Sequence, residues 1–230
     1  MTTTETTSTL PMIAVLGGTG AEGSGLALRW AHAGYPVIIG SRNADKAEQV
    51  CAQMNATLKR SAVRHDGYLA AATAAQIIVL CVPYAAQRAT VEEVRAALNG
   101  KILIDTTVPL LPPKVMRVQL PEGGSAVAAI QTLLGESVRV VSAFQNVAAH
   151  LLQDLDCNVE CDVLVCGNDV PARETVVKLA ADIGLRGIHA GQIGNSAAAE
   201  ALTSILISIN SRYKTHGAGI RITGLDRGET

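Results

Sequence analysis

Ile13-Ala-Val-Leu-Gly-Gly-Thr-Gly-Ala-Glu-Gly23 is the stretch that decides the fold of this chain. Its apolar start, in residues 12–16, predicts a buried β-strand, and a predicted helix follows over residues 23–33. Between them, Gly18, Gly20 and Gly23 have G-x-G-x-x-G spacing, in which the first glycine makes a tight turn, the second admits a pyrophosphate and the third packs helix against strand. The helix N-terminus also offers free N–H groups to an anion. The stretch therefore predicts a dinucleotide-binding turn.

The rest of the chain alternates short apolar runs with segments of helical period. Further strands are predicted at residues 36–39, 62–64, 76–82, 101–105, 138–143, 162–166 and 186–189. Further helices are predicted at residues 44–54, 69–75, 86–98, 125–134, 171–183 and 196–213. Strands joined by crossover helices make an α/β fold. We expect a Rossmann-type, doubly wound, mostly parallel sheet with a small C-terminal αβ extension.

The composition excludes several kinds of partner. The 230 residues carry 19 Lys+Arg against 20 Asp+Glu, a formal net charge of −1. Proteins that bind nucleic acid or anionic lipid do so through clustered excess Lys and Arg, so neither partner is expected. No stretch reaches the roughly 18 continuous apolar residues of a membrane span. Since aromatic residues make up only 3% of the chain, the core must be aliphatic.

The five cysteines indicate neither a disulfide framework nor a metal site. Their number is odd, and Cys157, Cys161 and Cys166 lack the paired spacing of zinc sites. Residues 1–11 have no basic region followed by an apolar one and are expected to be a disordered leader, not a secretory signal. We therefore expect buried thiols, no metal and a cytoplasmic location.

The end of the second predicted strand indicates which dinucleotide is bound. Proteins that prefer NAD usually place an acidic residue there to hold the ribose 2′-OH. This chain has Gly40-Ser41-Arg42, and Lys46 follows one helical turn later. The permanently charged arginine fork, the serine hydroxyl and the second cation suit a 2′-phosphate. The pattern favours NADP over NAD, the alternative being a solvated helix start without a ligand.

Several motifs together resemble one known family. They are Gly17-Gly-Thr-Gly-Ala-Glu-Gly23, Gly40-Ser-Arg followed by Lys46, Cys81-Val-Pro83, Val140-Val-Ser-Ala143, Cys161-Asp-Val-Leu-Val-Cys-Gly167, and Ala190-Gly191 followed by Asn195-Ser196. In order and spacing, over nearly the whole chain from residue 12 to residue 225, they resemble the F420-dependent NADP reductases. The resemblance implies hydride exchange between the nicotinamide C4 of NADP(H) and C5 of the deazaflavin coenzyme F420. Because the two cofactors carry the reactivity, no catalytic side chain is expected.

The resemblance also implies a set of binding residues. NADP would be held by Gly18, Thr19, Gly20, Ala21, Glu22, Gly23, Ser41, Arg42, Lys46, Val82, Pro83, Tyr84, Val108 and Ala149. The second substrate would meet Phe144, Gln145, Asn146, Asn195 and Ser196. Residues 12–150 would form the NADP-binding domain and residues 151–230 a smaller portion closing the cleft, in a homodimer.

Two other functions stay open at this point. Where archaeal members of the family have a His-Thr pair, this chain has Gln145-Asn146, so an NADP-dependent reductase of another small acceptor, such as an imine or keto compound, would look similar. A protein that binds NADP without turnover is the third reading. Asp105, at the end of the fifth predicted strand, is interpreted either as a catalytic carboxylate or, more commonly for such a position, as a strand-terminal cap.

Overall fold

The computed structural model describes residues 10–225, which contain eight strands in a single sheet. The strands β1 to β8 are Ile13–Leu16, Val37–Gly40, Val63–Asp66, Ile77–Leu80, Ile102–Asp105, Arg139–Ser142, Asp162–Gly167 and Arg186–His189. Their order across the sheet is β3-β2-β1-β4-β5-β6-β7-β8. All neighbours are parallel except β6 and β7, which are antiparallel. The predicted Rossmann-type, mostly parallel α/β sheet is confirmed.

Helices cover both faces of this sheet. The helices α1 to α8 are Ala21–His32, Ala44–Leu58, Tyr68–Ala74, Tyr84–Val94, Ala126–Leu134, Ala149–Leu152, Val170–Ala181 and Ser196–Tyr213. Alternate side chains of β1 enter two separate cores, with Ile13 and Val15 on one side and Ala14 and Leu16 on the other. Because β1 is buried on both faces, all of its residues are apolar, and apolar and polar residues do not alternate along it.

Most element boundaries agree with the sequence prediction within a few residues, and the differences have local causes. Helix α1 begins at Ala21 instead of residue 23, because Gly20 is extended and forms the N-cap. Helix α4 begins directly after Pro83 and gives way to a 3₁₀ turn, Arg95–Ala97, before the end predicted for it. The four-residue helix α6 was not predicted, since one turn is too short to show helical periodicity.

The C-terminal part of the chain continues the same sheet. Strands β7 and β8 lie beyond β6, and α8 occupies the residues predicted for it. Most of the predicted leader, residues 1–9, lies outside the described residues. Within residues 10–225, no helix combines the length and apolar character of a membrane span. In the same range no group of three or more His, Cys, Asp or Glu side chains is arranged to hold a metal ion.

A buried arginine ties α1 to α6, to the irregular segment that follows α6 and to the turn after α7. Arg29 is only 7% exposed, and its guanidinium donates hydrogen bonds to five backbone carbonyls. The acceptors are the carbonyls of Leu151, Leu152, Asp154, Cys157 and Ile183, at distances of 2.6–3.2 Å. Because the segment is irregular, it has few backbone partners of its own. Arg29 therefore holds it against the Rossmann helix.

Candidate functional site

The turn after β1 is built by glycines in close contact with the neighbouring strand. Gly17 has a φ of +83°, and a Cβ atom there would lie 2.3 Å from the carbonyl oxygen of Cys81. At Gly18 a Cβ would lie 2.9 Å from the Ile39 side chain. The sequence assigned the tight turn to Gly18. That assignment was wrong, because the left-handed conformation is at Gly17 and Gly18 is required for packing space.

The other two glycines behave as the spacing predicts. A Cβ at Gly23 would lie 2.8 Å from the Gly17 carbonyl oxygen, so only glycine allows α1 to pack this closely on the turn. Gly20 is extended, and the nearest atom to its Cβ position is 3.4 Å away. The backbone N–H groups of Ala21 and Glu22 have no acceptor among residues 10–225. Free amides at an open helix N-terminus suit a diphosphate.

The end of β2 presents two cations to solvent. Gly40 ends the strand, and Asn43 caps α2 by accepting a hydrogen bond of 2.8 Å from the Lys46 amide. The side chains of Arg42 and Lys46 are exposed, and neither forms an ion pair or hydrogen bond within the described part of the chain. The Ser41 hydroxyl donates to the Asn43 carbonyl. This set of free cations matches the expected requirements of a 2′-phosphate.

The crevice beside the turn is where the sheet order changes direction. Strand β1 lies between β2 and β4, so the order of the strands across the sheet reverses its direction at this point. Such switch points bind ligands in α/β sheets. Val82 is buried against the turn, with its Cγ1 3.0 Å from the Cβ position of Gly17. Pro83 is exposed, and Tyr84 is half-buried at the first position of α4. Farther along the same edge of the sheet, Val108 and Ala149 are both half-buried.

A buried carboxylate lies at the end of β5. Asp105 is fully buried, and it accepts hydrogen bonds from Gln87 Nε2 at 2.6 Å and from the Thr107 amide at 2.9 Å. Burial raises its pKa, and these donors act in the opposite direction. Neither a plain cap nor an exposed catalytic carboxylate describes it. Because Gln87 lies on α4, 18 residues before Asp105 in the sequence, no local sequence pattern revealed this pairing.

Gln145, in the segment that follows β6, also contacts Asp105. Its side chain is 4% exposed, and Nε2 donates to the Asp105 carbonyl at 2.8 Å and to Ser142 Oγ at 2.9 Å. Thr203 on α8 donates a hydrogen bond of 2.7 Å to the Gln145 carbonyl. Both amide hydrogens of Gln145 are therefore used, and its Oε1 atom, which has no partner within residues 10–225, is the one free acceptor on this side chain.

Two residues expected to face the second substrate are part of the protein interior. Phe144 is fully buried, and its ring makes an edge-to-face contact with Trp30 at a centroid distance of 5.7 Å. Ser196 is also fully buried; its Oγ lies 2.6 Å from Ser125 Oγ and donates to the Ile193 carbonyl. Strand-end and helix-start positions do not reveal which way a side chain points, and the side chains of these two residues point into the interior.

The remaining two predicted acceptor residues have different surroundings. Asn146 is 2% exposed, and its Nδ2 donates to the Asp162 carbonyl at 2.6 Å, which holds the end of β6 to β7. Asn195 is exposed, and its Nδ2 donates to the Ala190 carbonyl.

Sequence reasoning missed Glu200, whose buried carboxylate accepts hydrogen bonds from Ser125 Oγ and from two amides at the start of α5.

Comparison with known proteins gives a consistent result. A profile of the family described as "NADP oxidoreductase coenzyme F420-dependent" matches residues 12–109. The chain is 42% identical over 222 residues to the F420-dependent NADP reductase of Methanocaldococcus jannaschii, covering 93% of this chain and 99% of that protein. It is 40% identical over 220 residues to the protein of the same name from Methanothermobacter marburgensis, covering 93% and 98% of the two chains.

Solved structures add a wider set of relatives. A crystal structure of a candidate F420-dependent NADP reductase from Arthrobacter sp. FB24 superposes with a TM-score of 0.76 at 26% identity, covering 93% of this chain and 99% of that one. A reductive aminase from Aspergillus terreus superposes with a TM-score of 0.61 at 21% identity, covering 90% of this chain and 63% of that one. The second comparison shows the shared fold alone.

Proposed function

The chain belongs to the F420-dependent NADP reductases, and from that premise we propose how its residues hold the two substrates. As a member of that family, it is an oxidoreductase that transfers hydride between NADP(H) and coenzyme F420. The bound coenzymes supply the reactive carbons, C4 of the nicotinamide and C5 of the deazaflavin. The protein supplies the binding, orientation and exclusion of water. Holding two reactants in contact contributes about 7–11 kcal/mol to lowering such a barrier.

One observation carries the NADP half of the proposal: a glycine turn with free amides lies next to two unpaired cations. The amides of Ala21 and Glu22 would receive the diphosphate, and Arg42 and Lys46 the 2′-phosphate. The proposed NADP contacts are Gly18, Thr19, Gly20, Ala21, Glu22, Gly23, Ser41, Arg42, Lys46, Val82, Pro83, Tyr84, Val108 and Ala149. Their support is position at the switch point of the sheet.

The acceptor half of the proposal is centred on Gln145. Its Oε1 is a buried hydrogen-bond acceptor without a partner in residues 10–225, in the segment that follows β6. A deazaflavin ring carries an N–H group that could meet such an acceptor. Asn195, exposed before α8, is the second proposed contact.

The acceptor is tested by anaerobic mixing of the protein with NADPH and purified F420. We expect the deazaflavin absorbance to bleach far faster than in the enzyme-free mixture, and NADPH not to be oxidised by a panel of cyclic imines and ketones. Oxidation with an imine and none with F420 would instead favour the reductase of another acceptor. A tight NADPH titration with no acceptor reduced would favour the protein that binds without turnover.

Replacing Gln145 with alanine should disturb F420 kinetics and leave NADPH binding nearly unchanged. Loss of one hydrogen bond of about 0.5–1.5 kcal/mol predicts a roughly 2–12-fold fall in kcat/KM for F420. The Kd of NADPH, from fluorescence titration, should change less than about twofold. The matched control is Thr203→Val, which removes only the hydrogen bond to the Gln145 carbonyl. A larger effect on NADPH than on F420 would mean that the acceptor site lies elsewhere.

We further infer a cytoplasmic homodimer. All five cysteines are free thiols, as reducing compartments favour. Helix α8 exposes Ile205, Ile209 and Tyr213, with 47%, 36% and 75% of their surfaces accessible. These side chains form an apolar stripe suited to a second copy of the chain. Sedimentation equilibrium should give about twice the chain mass of 23.9 kDa, and a single-chain mass at micromolar concentration would contradict the dimer.

A further inference from the structure

Unpartnered polar atoms collect around Asp105. Within residues 10–225, five buried side-chain polar atoms have no hydrogen-bond partner, and three of them belong to Glu22, Thr107 and Gln145. Thr107 and Gln145 each donate a hydrogen bond to Asp105, and the charge of Asp105 acts on Glu22. Buried polar atoms without partners are uncommon in folded proteins, so a cluster of them calls for an explanation.

Glu22 is the member of this cluster that belongs to the diphosphate turn. It is the second residue of α1, where an ionised carboxylate would compete with a bound diphosphate for the helix N-terminus. The residue is half-buried, but its Oε1 atom is shielded from solvent. The side chain reaches inward to Thr106, beside Asp105 and Cys81.

The two carboxyl groups differ in their hydrogen-bond donors. Asp105 accepts hydrogen bonds from Gln87 and Thr107, and these donors stabilise its charged form. The buried Oε1 atom of Glu22 has no such donor in residues 10–225, which favours the neutral form of Glu22. Burial, reinforced by the charge of Asp105 and opposed by the hydrogen bond with Thr106, raises the pKa of Glu22 to about 8.

We propose that Glu22 is the residue that limits NADP(H) binding at alkaline pH. As a neutral acid it leaves the helix N-terminus free for the diphosphate, and as a carboxylate it repels the diphosphate from within the turn. This inference rests on the proposed NADP site, and it requires nothing of the F420 site. The enzyme therefore binds NADP(H) in the form in which Glu22 carries a proton.

The neighbouring titratable groups do not account for such an effect. Burial raises the pKa of the Cys81 thiol well above its ordinary value of 9.0. The hydrogen bonds from Gln87 and Thr107 stabilise the charged form of Asp105. Helix α6, which packs on α1, carries His150, whose side chain is exposed. The 2′-phosphate of the ligand titrates near pH 6. The interval from pH 7 to pH 9 is therefore that of Glu22.

The Kd of NADPH, measured by fluorescence titration without F420, tests the proposal. If only the protonated form binds, the wild-type Kd should rise about tenfold between pH 7 and pH 9, because the binding-competent fraction falls by that factor. In Glu22→Gln, which is neutral at every pH, the Kd should change less than about twofold over the same interval. Glu48→Gln, an exposed carboxylate change on α2, should keep the wild-type dependence. Equal pH dependence in wild type and Glu22→Gln would overturn the proposal.

Two further measurements keep the test independent of catalysis. In protein carrying ¹³C-labelled glutamate, one carboxyl resonance should titrate near pH 8 and be absent from Glu22→Gln; titration of the Glu22 resonance below pH 6 would overturn the proposal. Between pH 4.5, the ordinary pKa of Glu22, and its raised pKa of about 8, the folded state should bind one more proton than the unfolded state. Wild-type stability therefore falls relative to Glu22→Gln as pH rises through that window, so Glu22→Gln should have the higher Tm at pH 8 and an equal Tm at pH 4. These results do not depend on whether the wild type reduces F420. Failure of the proposed F420 reduction can therefore be distinguished from failure of the Glu22 proposal.

Discussion

Arg29→Met should destabilise the protein by about 3–5 kcal/mol, because it leaves several backbone acceptors without their donor. Methionine retains most of the apolar stem and removes every donor. Five backbone carbonyls then lose their hydrogen bonds, and each buried acceptor left without a partner costs about 1–3 kcal/mol. Water molecules can donate hydrogen bonds to some of these carbonyls, so the total loss of stability stays below the sum of the individual costs.

Urea unfolding followed by fluorescence measures this loss directly. Trp30 is the single tryptophan of the chain, and it is fully buried one residue after Arg29. The matched control is Arg95→Met, which removes an exposed i,i+3 ion pair with Glu92 and should change stability by less than about 1 kcal/mol. If the two variants unfold at the same urea concentration, the segment after α6 does not depend on Arg29.

Arg42→Ala should greatly reduce the preference of the enzyme for NADPH over NADH. A charge-assisted hydrogen bond is worth about 1.5–3 kcal/mol, which predicts a roughly 10–150-fold increase in the KM of NADPH. The KM of NADH should change less than about threefold, since NADH has no 2′-phosphate for Arg42 to bind. Lys46 remains as a second cation in the variant, so some preference for NADPH is retained.

Steady-state kinetics with both dinucleotides checks this expectation. Arg95→Ala is the control, because it removes an exposed arginine beyond the C-terminal end of α4, at the opposite edge of the sheet from the turn. That variant should leave both KM values unchanged. Equal increases for NADPH and NADH with Arg42→Ala would place the 2′-phosphate somewhere other than the end of β2.

Much of the fold could be predicted because its signals are local. The buried run of β1, the three fingerprint glycines and the helical period of α8 each lie within a short window of sequence. The left-handed residue proved to be Gly17, one position earlier than expected, because the contact that requires it is with Cys81, the residue that follows β4. Only the three-dimensional structure brings those two residues together.

The differences between the expected and the observed surroundings of two candidate-site residues share a physical origin. Phe144 and Ser196 were expected at the acceptor site from their positions at element ends, yet both point into the interior, toward Trp30 and Ser125. Side-chain direction depends on packing between elements distant in sequence. The same holds for the Glu22–Asp105 pair, separated by more than eighty residues, which no spacing rule in the sequence could have revealed.

Direct hydride transfer between the two bound coenzymes is the central claim, and isotope transfer tests it most directly. The protein is incubated anaerobically with F420 and NADPH carrying two deuterium atoms at C4, in ordinary water. Reduced F420 isolated from the mixture should carry one deuterium at C5 by mass spectrometry. Reduced F420 without deuterium, or no reduction of F420 at all while NADPH binds tightly, would contradict the claim.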